Sequence, residues 1–108
     1  DKSLTSAEMR GRVMVARERQ RHRYRDTGFQ FNSQLFGRWV EKYVSLSVSA
    51  QRWFSVLYQT SGISNRSYDK ILKVARTIAD LEDSEQVLEA HVAEAFQYRT
   101  LDQKQWKG

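Results

Sequence analysis
Apolar residues recur at intervals of three and four along most of the chain, the spacing of one face of an α-helix. The clearest run is residues 63–81, where Tyr68, Ile71, Leu72, Ala75, Ile78 and Ala79 share a face. Arg66, Asp69, Lys70, Lys73, Arg76, Thr77 and Asp80 fall on the other, which reads as a solvated charged surface or as one that meets an anion. Upstream, Thr5 with Glu8 three residues on has the form of a capping box and starts a helix expected to reach about Arg25. Its apolar stripe, Met9, Val13, Ala16, Gln20 and Tyr24, is narrow; Arg10, Arg17 and Arg21 flank one side, Arg12, Arg19 and Arg23 the other.

Asp26-Thr27-Gly28 breaks that helix, and Asn32 or Ser33 is placed to cap a short second one carrying Leu35, Phe36, Trp39, Val40 and Tyr43 on one face. Residues 44–49 alternate with a period of two, but a lone strand has no partner here, so a loop is expected. A third helix places Ala50, Trp53, Phe54 and Leu57 together and stops at Ser61-Gly62. After an acidic turn at residues 82–85, a last helix over residues 88–99 is expected to bury Leu88, Val92, Ala95 and Phe96, leaving a fraying tail. The aromatic residues of the second and third helices are expected to fill the core.

Composition agrees with helices throughout: there is no proline and there are five glycines. The 108 residues suffice for one all-α domain, a four- to five-helix bundle, with residues 1–5 and 103–108 as loose ends. No apolar run is long enough to span a bilayer, so no membrane partner is expected. Zero cysteines fit a cytoplasmic setting. Lys2 and seven arginines face Asp1, Glu8 and Glu18 within residues 1–25, so the net charge of +5 belongs entirely to that first quarter. Such an element attracts phosphate backbones or acidic protein surfaces. Arg10, Arg17, Arg19, Arg21 and Arg23 are therefore candidates for contact with DNA or a neighbouring domain, beside the simpler reading of arginine stems covering apolar surface.

Catalytic chemistry has little to stand on. No phosphate-cradling G-x-x-x-x-G-K-[ST] loop occurs, and His22 and His91 are alone on different helices, reading as surface or boundary histidines with no metal site. This chain by itself is not expected to be an enzyme. Arg66 stands out for another reason. A cation in the first turn of a helix opposes the helix dipole, which favours a carboxylate at that position.

Three strings carry a resemblance: S-x-R at residues 64–66 followed by I-L-K-V-A-R-T-I-A-D-L, then H-V-A-E-A-F-Q-Y-R at residues 91–99, and upstream V-M-V-A-R-E-R-Q-R-H-R at residues 13–23. They resemble the C-terminal domain of magnesium-chelatase-like AAA+ ATPases, in particular the ComM/YifB branch, from about Ser6 to Asp102. The aromatic stretch between the anchoring motifs matches only in helical character. The resemblance implies an AAA+ lid fused to a nucleotide-binding core, in a longer cytoplasmic protein that binds ATP with magnesium and forms a hexameric ring. In the ComM branch the implied task is helicase-like branch migration of DNA during natural transformation. Arg66 takes the place of the sensor 2 arginine that reaches the γ-phosphate, and its partners would be the core and neighbouring subunits. Two alternatives stay open: the lid of a chelatase motor subunit that serves metal insertion into a porphyrin-like ring, and a freestanding basic helical DNA-binding or adaptor module.

Overall fold
A computed structural model describes the backbone of residues 5–107 and the side chains of residues 5–98. Among these, five α-helices and one 3-10 turn follow in order: α1 (Ser6–Arg23), the turn Asn32–Gln34, α2 (Arg38–Tyr43), α3 (Val48–Ser61), α4 (Asn65–Leu81) and α5 (Glu89–Lys107). The expectation of a small all-α bundle is met.

Local signals set the helix ends. The Thr5 hydroxyl accepts from the Glu8 amide at 3.0 Å and the Glu8 carboxylate accepts from the Thr5 amide at 2.9 Å, completing the capping box that starts α1. Ser47 and Ser64 cap α3 and α4 through the amides of Ala50 and Ser67. Gly62 ends α3 in the left-handed conformation (φ 63°), as its sequence position predicts. Gly37 opens α2 with φ 55° and ψ −135°, a backbone conformation that a side chain would strain.

The core gathers around α4. Ile71, Leu72, Ala75, Ile78 and Ala79 bury one face of it against Tyr24, Leu35, Val40, Val44, Phe54, Val87, Val92 and Ala95. Phe54 stacks on Tyr68 at 4.4 Å between ring centroids, and Trp53 meets Phe96 edge-on at 6.2 Å.

Several expectations are corrected. Met9 and Val13 are 54% and 39% exposed, so the stripe on α1 buries only its second half, Ala16, Gln20 and Tyr24. Asn32 caps no helix; it is buried within the 3-10 turn. Leu35 and Phe36 precede α2, and Phe36 is 64% exposed where core packing was expected. Residues 44–47 are a loop, while Val48 and Ser49 already belong to α3, and Leu46 does have a partner: it forms an isolated parallel bridge with Val87, closed by hydrogen bonds from the Ser47 amide to the Val87 carbonyl and from the Val87 amide to the Ser45 carbonyl. Leu88 lies just before α5 rather than on its inner face and is 44% exposed. The backbone of α5 is helical through Lys107, past the end expected at residue 99; residues 1–4 and 108 of the expected loose ends lie outside the described residues.

Candidate functional site
Arg66 is in the first turn of α4, two positions beyond the Ser64 cap, where the free amides already concentrate positive potential. Its side chain is exposed, and no hydrogen bond or ion pair holds it among the described residues. It lines an open groove of about 820 Å³ between the loop at residues 33–36 and the polar face of α4. Lys70 and Lys73 follow Arg66 at successive turns along that groove, with Asp69 beside them and Leu35, Phe36, Val74 and Ile78 supplying apolar wall. Lys73 is committed internally, donating to the carbonyls of Ser33 at 3.2 Å and Leu35 at 3.1 Å. The groove thus offers two exposed cations, Arg66 and Lys70, to a ligand rich in oxygen charge.

Arg76 and Asp80, expected on the same solvated face, are instead buried at 2% and 0% exposure. Asp80 accepts a forked pair from Arg23 (Nη2 to Oδ1, 2.7 Å; Nη1 to Oδ2, 2.9 Å), a bond from Asn32 Nδ2 at 2.9 Å and an ion pair from Arg76 Nη2 at 3.0 Å. Asn32 is satisfied in turn: its Oδ1 accepts from the Tyr24 hydroxyl at 2.6 Å, its amide donates to Gln20 Oε1 at 2.9 Å, and its Nδ2 also reaches Thr77 Oγ1 at 3.0 Å. Arg76 ties off the loop after α4 by donating to the carbonyls of Ser84 at 2.6 Å and Glu85 at 2.8 Å; its Nε is buried without a partner. Burial opposes the charge of Arg23, but the hydrogen bond and charge of Asp80 outweigh it and raise its pKa. For the more deeply buried Arg76, burial prevails and the nearby Arg23 adds to it, lowering its pKa despite Asp80. Both guanidiniums stay charged at any ordinary pH.

This network divides the arginines of α1. Arg23 is spent on Asp80, and Arg19 binds Asp83 through Nε at 2.6 Å and its carbonyl through Nη2 at 3.3 Å. Asp83 holds a left-handed backbone (φ 59°) that asparagine and aspartate tolerate best among residues with side chains. Arg10, Arg17 and Arg21 remain outward, Arg21 with an exposed partner in Glu18. The structure thus brings none of these five together with Arg66.

His91, expected near the surface, is 3% exposed. Its Nδ1 accepts from the Leu88 amide at 2.9 Å, which leaves the proton on Nε2 to donate to Glu82 at 2.9 Å. The histidine closes the first turn of α5 from its third residue, as glutamate does in a capping box. No group of three or more His, Asp or Glu among the described residues is placed to hold a metal ion, and no helix among them is long and apolar enough to cross a membrane.

Residues 3–99 match the family described as magnesium chelatase, subunit ChlI C-terminal. The chain is 39% identical over 101 residues to "Uncharacterized protein YifB" of Salmonella typhimurium and 35% identical over 101 residues to "Competence protein ComM" of Haemophilus influenzae. It is also 35% identical over 98 residues to "Uncharacterized protein YifB" of Escherichia coli. These matches take in 94%, 94% and 91% of this chain but 19% of each relative, so the chain spans about a fifth of their length. No solved structure matches it. A match over nearly all the residues, with relatives at 35% identity or more, settles the kinship: the chain belongs to the magnesium chelatase ChlI C-terminal family, in the branch that holds YifB and ComM.

Proposed function
We propose that this domain is the helical lid of a ComM-like AAA+ ATPase and that Arg66 is the arginine through which the lid senses ATP. The observation that carries the reading is the unpartnered Arg66 in the first turn of α4, a place where the helix itself disfavours a cation. A γ-phosphate supplies what the chain does not: oxygens for a guanidinium fork and negative charge to offset the helix end. The groove's own cations suit the phosphate side, with the phosphate loop and magnesium belonging to the rest of the protein, in a ring of such subunits. Arg66 would stabilise charge on the transferring phosphoryl group, and α4, fixed by the core, would carry the lid with it. DNA is the substrate we infer for the parent, in keeping with the competence protein among the relatives.

Steady-state ATPase of the full-length protein, beside thermal melts of this chain, tests the assignment. Arg66→Ala is expected to lower turnover by roughly 10-fold or more while leaving the melt within about 1 kcal/mol of wild type. Arg66→Lys should restore only part of the rate, because an ammonium cannot fork onto two oxygens. Wild-type turnover in Arg66→Ala would reject the role.

A further inference from the structure
A second surface, meeting the Arg66 groove at Phe36, lies along α1 and residues 25–31. Arg17, Arg21 and Arg25 follow one another at four-residue spacing along the exposed side of α1 and the turn after it, and border a pocket of about 530 Å³ with Phe29 and Phe31. Phe31 is 48% exposed. Its loop is fixed by the Gln34 side chain, whose Oε1 accepts from the amides of both Gln30 and Phe31. Phe29 is half-buried, edge-on to Tyr24 at 6.1 Å, to Phe36 at 6.0 Å and to Trp39 at 6.0 Å. The aromatic surface therefore runs on to the exposed Phe36 and to Trp39, over which Arg38 and Lys42 lie at 5.2 and 5.4 Å. The carboxylates in contact with the arginine row are Glu18, bound to Arg21, and Asp26, 3.9 Å from Arg25; both pairs are exposed and cheap to exchange for a phosphate.

We propose that this cationic, aromatic surface of α1 and residues 27–31 binds single-stranded nucleic acid, with phosphates on Arg17, Arg21 and Arg25 and an unpaired base stacked on Phe31. The inference rests on the DNA half of the reading above and not on Arg66. Charge decides the sign of the partner, since the whole net charge of the chain lies in the segment that forms this row. The exposed rings decide its form: a duplex hides its base faces, whereas a single strand offers a π-face at every nucleotide. The row also has the right pitch. From Arg17 to Arg21, both on α1, four helical residues advance about 6 Å, close to the spacing of successive phosphates in an extended strand. An acidic protein surface would also satisfy the arginines, and polyglutamate stands for it in the test below.

The test is fluorescence anisotropy of a labelled oligothymidylate of about a dozen nucleotides with the 108-residue chain, in low salt and without nucleotide. Binding is expected that weakens steeply with added salt. Phe31→Ala should weaken it roughly 5-fold or more with the salt slope unchanged, and Phe31→Trp should restore it. Joint Arg17→Gln, Arg21→Gln and Arg25→Gln should flatten the salt slope by about two. Circular dichroism should show all variants folded, since each altered side chain is exposed. The proposal fails if the oligonucleotide does not bind, if Phe31→Ala binds as wild type, if an equal length of duplex competes equally well, or if only polyglutamate binds. None of these outcomes bears on ATP turnover in Arg66→Ala, so the two assignments stand or fall separately.

Discussion

Asp80 is the carboxylate on which three side chains from three segments converge, and at 0% exposure it has no water to fall back on. Removing it would leave Arg76 with no compensating charge inside the core. Asp80→Ala is therefore expected to cost about 3–5 kcal/mol, a large share of the 5–15 kcal/mol that holds such a domain together. Asp80→Asn, which keeps some hydrogen bonds but not the charge, should fall between. Urea unfolding measures both, and a loss below about 1 kcal/mol for Asp80→Ala would show that the network contributes little. Tyr24 adds a pH dependence. Burial raises its pKa, with Arg23 opposing, so the folded chain holds the phenol proton more tightly than the unfolded chain. A raised pKa contributes stability that is complete below the unfolded phenol value of about 10 and is lost as pH climbs through the folded value. Melting temperature should thus fall above pH about 10, and Tyr24→Phe, although weaker at neutral pH for want of its bond to Asn32, should fall less over that range. Parallel alkaline limbs in the two proteins would contradict this.

At the scale of an element, α1 is two helices in one. Residues 6–15 are exposed on every side, while Ala16, Gln20 and Tyr24 are buried. A cap worth about 1 kcal/mol therefore protects a half-helix that tertiary packing does little to hold. Thr5→Ala should speed amide hydrogen exchange within residues 6–14 by roughly 5-fold and leave exchange in α4 unaltered. Uniform acceleration throughout the chain would mean that α1 melts only with the whole domain. Gly62 and the Thr5 to Glu8 box were legible in the sequence because each signal spans four residues or fewer. Leu88 was misread by one position: it precedes the first turn of α5, where periodicity no longer applies.

For the molecule as a whole, five helices and the centrality of α4 were readable from spacing, as was the oddity of Arg66 against the helix dipole. The contacts that lock the helices together were not. Asp80 meets Asn32 and Arg23 across 48 and 57 residues of chain, and local periodicity assigned Arg76 and Asp80 to water because both are charged. Their spacing of four, beside Ile78 and Ala79, was the available hint, and it does not separate an exposed helical pair from a buried one. Phe36 escaped for the converse reason, since a large apolar ring reads as core wherever it stands.

The division of α1 has a mechanical consequence. A helix is stiff over ten residues, so residues 6–15 form a rod about 15 Å long clamped at its far end by Gln20, Arg23 and Tyr24. Force applied near Met9 or Met14 becomes torque at the clamp. There the forked pair of Arg23 and Asp80 hands it to α4, about four turns from Arg66. While residues 6–15 stay helical, anything that grips the tip of α1 would hold a lever on the helix that carries Arg66, without coming near its groove.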